Sequence, residues 1–206
     1  MSKMERLIPI IGIGGAIGSG KSSIANSFID QNATVIDLDL LSRDLSKKGK
    51  RLWKEVVLTF GSGFLDQKGE LQRQKLGKVV FKNWKFLFQL NQISHPIFKN
   101  ELKKFILHQL SSTMIVIDGA ILFEAGLIPL IDRLIFVEAD EEQRFSRLSR
   151  KGLSPNDIRA RMKSQKFIPS LRRRSHIIIE NKTTPEDLQQ KIGLIDQLPT
   201  KKLIHT

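Results

Sequence analysis

The sequence predicts an α/β fold, with a parallel sheet at the centre of one domain, a helical insertion, and a further set of polar helices near the end. Three observations lead there. The runs 10–13, Met114-Ile115-Val116-Ile117, Leu134-Ile135-Phe136-Val137 and Ile177-Ile178-Ile179 are apolar, short and without polar alternation, like strands covered on both faces. The first run is followed by a glycine-rich turn, a helix-like stretch from Lys21 to Gln31, and a second strand, Thr34-Val35-Ile36-Asp37-Leu38, which makes a β-loop-α-β start. Residues 40–109, between the second and third strands, read mostly as helix.

Each element has a local reason. Pro9 precedes the first strand, where a missing N–H is tolerated. The helical insertion is expected to break at Gly49, across 61–69, and at His95-Pro96, because proline disfavours helix in the residue before it. The third strand ends in Asp118 and the fourth at Glu138. Ser154-Pro155 with Asp157 resembles a capping box with proline at the first helical position, and Thr184-Pro185-Glu186-Asp187 opens a last helix in the same way. Residues 199–206 read as a tail. No repeat or low-complexity tract is present.

Composition narrows the classes. A chain of 206 residues with 40% hydrophobic and 27% charged residues suits one globular α/β domain with an insertion. The absence of cysteine excludes disulfides, thiolate catalysis and zinc-ribbon sites, and fits a cytoplasmic location. Lys3 and Arg6 before an apolar run resemble a secretory signal, but the run holds Gly12, Gly14 and Gly15, lacks a small-x-small cleavage site, and meets Gly20-Lys21-Ser22 where a signal would end. No stretch of about 18 uninterrupted apolar residues suggests a membrane span. The net charge of +13 is uneven: residues 141–174 carry eleven Lys/Arg against three acids.

Gly15-Ala16-Ile17-Gly18-Ser19-Gly20-Lys21-Ser22 meets the whole P-loop pattern, between a strand and a helix as that pattern requires. Glycines let the backbone turn successive N–H groups toward phosphates. These residues and Ser23 are expected to bind ATP, with Lys21 on the β- and γ-phosphates and the Ser22 hydroxyl on Mg²⁺. Asp118, at a strand end, is the expected Walker-B-type carboxylate supporting the metal. No Asn-Lys-x-Asp guanine-reading motif occurs, and the chain lacks room for paired helicase domains, which points to a small-molecule kinase. Asp37 and Asp39 are expected at the end of the second strand, where positions i and i+2 share a face. One would take the acceptor hydroxyl's proton and the other would support metal or ribose; Asp39 is assigned as base and metal-side group, Asp37 as substrate-side.

These residues resemble the dephospho-coenzyme A kinase family, which moves the γ-phosphoryl of ATP to the ribose 3′-hydroxyl of dephospho-CoA. The loop, Val35-Ile36-Asp37-Leu38-Asp39 with Arg43, Phe60-Gly61, Gly69-Glu70-Leu71-Gln72-Arg73, Val80-Phe81, Ile93-Ser94-His95-Pro96, Leu122-Phe123-Glu124, and Arg161 with Gln165 follow the family's order. The resemblance implies a P-loop kinase core with a five-stranded parallel sheet (7–48, 112–140 and 175–198), an inserted helical CoA domain (49–111) and a lid (141–174). It also implies that Arg43, Arg73, His95, Leu122, Glu124, Arg161 and Gln165 lie on the substrate side, and that Asn181 belongs to the ATP site. Arg147 and Arg150 lie i and i+3 apart on an expected lid helix, and both are assigned to the transferring phosphoryl group. The sequence departs from the family at Ala16, at Ala120-Ile121, at Ser146 where an arginine is usual, at Ser175-His176 and at Thr183.

Two rivals share these features. One is another P-loop kinase acting on a nucleotide, nucleoside or shikimate-like acceptor. The other is a basic nucleic-acid-binding protein with a vestigial P-loop, suggested by the charge and by Lys47-Lys48-Gly49-Lys50-Arg51. Against the second, there is no tyrosine and only 7% aromatic content for base stacking. No obligate protein partner is evident in the sequence.

Overall fold

The computed structural model of the chain describes residues 8–108, 112–119, 122, 125–165 and 167–181. The helix expected from Thr184 and the tail 199–206 lie outside the described residues. Contacts divide the chain into two compact units, one formed by Leu38–His108 and the other by the sequence on either side of it. The helical insertion therefore takes in residues 38–48, which the sequence assigned to the core.

The flanking unit holds five parallel strands: β1 (Ile10–Gly15), β2 (Ala33–Asp37), β3 (Met114–Asp118), β4 (Arg133–Glu138) and β5 (Ile177–Glu180), in the order β2-β3-β1-β4-β5. β1 and β3 are buried along their whole length, as unbroken apolar runs in a covered parallel sheet should be. β5, at the edge, alternates instead, and Ile178 is exposed while Ile179 is fully buried.

The first helix is shorter than its pattern suggested. α1 spans Lys21–Asn26, and a separate 3₁₀ turn covers Ile29–Gln31. The Ser27 hydroxyl donates to Ile24 O at 2.7 Å, a local bond that competes with helix continuation, and fully buried Phe28 pins the turn to the core. Asn32, with φ of 59°, then swings the chain into β2.

The Leu38–His108 unit contains α2 (Leu38–Leu45), α3 (Arg51–Phe60), α4 (Arg73–Val80) and α5 (Trp84–Leu107). α3 and α4 pack on α5, and Leu52, Val56, Leu76, Val80, Ile97, Phe98 and Leu102 are buried there. The expected break across 61–69 is a tight turn: Asp66 Oδ1 accepts from Lys68 N and Glu70 N, and Trp53 Nε1 donates to Gly69 O. The break expected at His95-Pro96 is absent, because Pro96 lies inside α5. One backbone bond is forfeited there, and the burial of Ser94, Ile97 and Phe98 around it holds the helix together.

After β4 come α6 (Glu141–Arg150), α7 (Pro155–Ser164) and α8 (Ile168–Arg174). The N-cap half of the box at α7 forms as read, with Asp157 N donating to Ser154 Oγ at 3.2 Å, but the Asp157 carboxylate accepts from the Ser154 hydroxyl at 2.8 Å in place of the Ser154 backbone N–H. α8 packs on β1 and β4 through fully buried Leu171, and a Cβ on Gly14 would come within 2.7 Å of Leu171 Cδ2. The basic segment thus ends in a helix seated directly on the strand that precedes the loop.

Leu171→Ala should cost about 2–5 kcal/mol through lost burial and an unfilled cavity. Thermal unfolding measures it, and an unchanged Tm would show that α8 is not anchored by this residue.

Candidate active site

The Gly15–Gly20 loop begins where β1 ends, between β3 on one side and β4 on the other. The chain's path across the sheet reverses at β1, and ligands of such sheets bind outside the carboxyl ends of strands at this point. The turn depends on glycine at particular places. Gly18 and Gly20 have φ of 79° and 91°, and a Cβ on Gly15 would run into the Val137 carbonyl oxygen. Ser19 is fully buried, and its N–H donates to Ala16 O at 3.1 Å. Lys21 Nζ donates to Gly15 O at 3.2 Å and Ala16 O at 3.0 Å, which holds the ammonium on the loop. Ser22 and Ser23 are exposed in the first turn of α1.

The loop is braced from the segment after β4. Ile17 N donates to Gln165 Oε1 at 2.8 Å. Arg147 Nη1 donates to Gly18 O at 3.2 Å and Ser19 O at 3.1 Å, and its Nη2 reaches Asn181 O at 3.5 Å. Asn181, just past β5, donates through Nδ2 to Ser19 O at 2.6 Å and through its backbone N to Glu138 O at 2.8 Å. A Cβ on Gly18 would press against the backbone of Arg144, a contact that no sequence motif signalled. The structure separates the two arginines that the sequence paired: Arg147 is on the loop, while Arg150 is exposed and donates to Ser146 Oγ on its own helix. Arg161 is also exposed.

The carboxylates are arranged differently from the sequence expectation. β2 ends at Asp37 and α2 begins at Leu38, so Asp39 stands in the first turn of a helix and does not share a strand face with Asp37. Successive helical residues turn by about 100°, so strand alternation no longer relates the two. An acidic residue in a first helical turn is favoured by the unsatisfied N–H groups there. Asp37 pairs in register with Asp118 on the neighbouring strand, and in-register residues of parallel strands face the same side. Asp118 is buried, and Ile13 of β1 is its register partner on the other flank. Among the described residues no group of three or more His, Cys, Asp or Glu forms a ready-made metal cage.

Within the Leu38–His108 unit, Arg73 Nη2 donates to Ser42 Oγ at 3.1 Å. Arg73 is exposed as a residue, yet loss of water around its guanidinium is the leading cause that lowers its pKa; Arg43 adds to this and Asp39 opposes it. Two cations and a carboxylate from the expected list therefore feel one another. Ser42 was not foreseen, since a lone serine beside an arginine carries no motif. His95 is half-buried in α5, and burial pushes its pKa below 6.5. Leu122 is fully buried, its carbonyl accepting from Leu127 N at 3.0 Å, and Glu124 lies outside the described residues.

A glycine-wrapped loop on the central strand of a five-stranded parallel sheet, with its lysine in place, defines a P-loop kinase. Shikimate kinase from Acinetobacter baumannii shares this fold, with a TM-score of 0.57 at 15% identity over 96% of this chain and 97% of that one. A crystal structure of a Thermus thermophilus protein is nearer, with a TM-score of 0.77 at 30% identity over 94% of this chain and all of the other. The family model for dephospho-CoA kinase matches residues 9–187. The dephospho-CoA kinase of Carboxydothermus hydrogenoformans is 34% identical over 194 residues, covering 93% of this chain and 94% of that protein. This chain belongs to the dephospho-CoA kinase family.

Two outcomes follow from this geometry. Gly20→Ala places a methyl group at φ of 91° and against the Asn181 amide, so ADP affinity should fall at least about tenfold while the circular dichroism spectrum is kept; parental affinity in calorimetry would contradict the tight approach. For His95, the folded pKa lies below the unfolded value of 6.5, so the unfolded chain binds the proton more readily. The stability due to neutral His95 is present above pH 6.5 and is lost as pH falls through the folded pKa. His95→Gln should therefore lose less stability than the parental protein between about pH 7 and 5 in denaturant titrations.

Proposed function

We propose that the chain transfers the γ-phosphoryl group of ATP to the ribose 3′-hydroxyl of dephospho-CoA, giving coenzyme A and ADP, the last step of coenzyme A synthesis, by the residue roles that follow. The observation that carries this reading is the Gly15–Gly20 loop with Lys21 on it, in a chain of the dephospho-CoA kinase family. The loop N–H groups bind the phosphates of ATP, and Lys21 turns from the loop carbonyls to the β- and γ-phosphate oxygens, offsetting charge as the bond to the leaving group breaks. Asp39, exposed at the start of α2, takes the proton of the acceptor hydroxyl. Arg43 and Arg73 bind the acceptor's phosphates, for which forked cations are suited, and Asp37 and His95 belong to the acceptor side as well. Asn181 belongs to the ATP side.

Mg²⁺ keeps several waters and needs no ready-made protein cage, and the residues that would hold it are Ser22, through its exposed hydroxyl, and Asp118, with Asp39 assigned to it as well. When bound there, Mg²⁺ would supply positive charge that offsets the charge of the ATP phosphates. Residues 38–108 serve as the acceptor-binding part and 141–174 as the lid, with Arg150 supplying positive charge to the γ-phosphate and Gln165 and Arg161 on its inner side. No described helix is long and apolar enough to cross a membrane, and we place the enzyme in the cytoplasm, acting on small molecules alone.

The test is an ATP-coupled assay across dephospho-CoA, AMP, CMP, adenosine and shikimate, in which dephospho-CoA alone should be turned over; activity confined to AMP or shikimate would keep the fold and reject the acceptor. Lys21→Ala should cut turnover by about 10²-fold or more without unfolding the chain. Asp39→Asn should slow the chemical step with ATP affinity retained, whereas loss of transfer in Asp37→Asn alone would reverse the two carboxylates' roles.

A further inference from the structure

A loop that turns its N–H groups inward must turn carbonyls outward, because the C=O and N–H of a trans peptide point in opposite directions. Ser19 O is such a carbonyl, and it shares the single Nη1 of Arg147 with Gly18 O, at 3.1 and 3.2 Å, while the N–H of the Gly18–Ser19 peptide turns to Ala16 O. Ser19 O also accepts from Asn181 Nδ2 at 2.6 Å, and Asn181 O in turn accepts from Arg147 Nη2 at 3.5 Å. The four groups form a closed set of bonds on the loop. With Ser19 O held this way, the N–H of the Ser19–Gly20 peptide is fixed on the opposite, phosphate-facing side.

We infer that Arg147 and Asn181 are positioning residues that preset the phosphate-binding loop from behind, and that Arg147 does not touch the transferring phosphoryl group. The inference rests on the reading that ATP phosphates occupy this loop, but not on the identity of the acceptor. Arg147 comes from the last turn of α6 and Asn181 from the end of β5, so the clamp ties two elements distant in sequence to one loop. Both residues lie close against Gly20, where a Cβ would meet Asn181 Nδ2 and approach Arg147 Nη1 to 3.5 Å. A glycine at that point lets the clamp seat directly on the backbone. The guanidinium suits the task because one planar donor serves two neighbouring oxygens, which a lysine ammonium does less well, and because its permanent charge behind the loop adds positive potential at the phosphate side. An arginine reaching the γ-phosphate would leave ADP affinity unchanged, whereas a preset loop acts on every phosphate it holds.

ADP, which lacks the γ-phosphate, separates the two roles. The full chain is compared with Arg147→Lys, Asn181→Asp and the Arg147→Lys/Asn181→Asp double variant, with ADP affinity measured by calorimetry and kcat and KM for ATP by coupled assay. All measurements are made below the melting temperature of each folded variant. We expect ADP affinity to fall roughly ten- to hundredfold in Arg147→Lys and Asn181→Asp, with KM for ATP rising in step. The double variant should lose little more than either single change, because both act on Ser19 O. Parental ADP affinity with lowered kcat would overturn the inference and return Arg147 to the γ-phosphate. Parental ADP affinity with only a lowered Tm would overturn it too, leaving a structural bond. ADP binding needs no acceptor, so failure of the parental protein to phosphorylate dephospho-CoA would reject that reading and leave this test standing.

Discussion

Between β1 and α1 the backbone must present a row of N–H groups to one side, and the partners of the carbonyls it turns away shape much of the surrounding unit. Arg147, from the last turn of α6, and Asn181, from the end of β5, donate to the Gly18 and Ser19 carbonyls, while Gln165 at the end of α7 accepts from Ile17 N. Leaving such half-buried carbonyls without partners would cost roughly 1–3 kcal/mol each. The strand that carries the loop is shaped by the same demand for closeness. Gly12 meets Ile131, Gly14 meets Leu171 and Gly15 meets the Val137 backbone, so side chains that β1 lacks are replaced by neighbours pressed against it.

This arrangement gives the basic segment a meaning that net charge alone does not. Eleven Lys/Arg in residues 141–174 suggested either a catalytic lid or a nucleic-acid face. Arg147 is committed to the loop, and Leu171 seats α8 on β1 and β4. Arg172 pairs with Glu138 at 2.5 Å, an exposed ion pair of small energetic weight. Arg43 and Arg73, the cations proposed for the acceptor, belong to the Leu38–His108 unit, where the charge of Arg43 adds to the cost of a protonated Arg73 and Asp39 partly offsets it. A binding site for anionic phosphates is one physical reason to keep like charges together.

Much of the fold was legible because buried parallel strands and a P-loop are written locally. The five strands fall within a residue or two of their apolar runs, and Ser154, Pro155 and Asp157 form the helix start their order announces. Three local signals misled. His95-Pro96 is an expected break that burial of Ile97 and Phe98 overrides, and α1 stops early where the Ser27 hydroxyl bonds back to Ile24. Asp37 and Asp39 fall on either side of a strand-to-helix boundary, which period counting does not resolve within a residue. In the site, Lys21 was readable from its motif, whereas the partnership of Arg147 with Asn181 was not, since residues far apart in sequence meet there only through the order of the sheet.

The central claim is that loop and acceptor groups together move one phosphoryl group to one hydroxyl. The most direct measurement is to convert dephospho-CoA with ATP to completion and to determine by ³¹P and ¹H NMR where the new phosphate is attached. The account predicts one ADP formed per acceptor and a single phosphomonoester on the ribose 3′-oxygen. ADP released with inorganic phosphate and unchanged acceptor, or a phosphate on another oxygen, would contradict it.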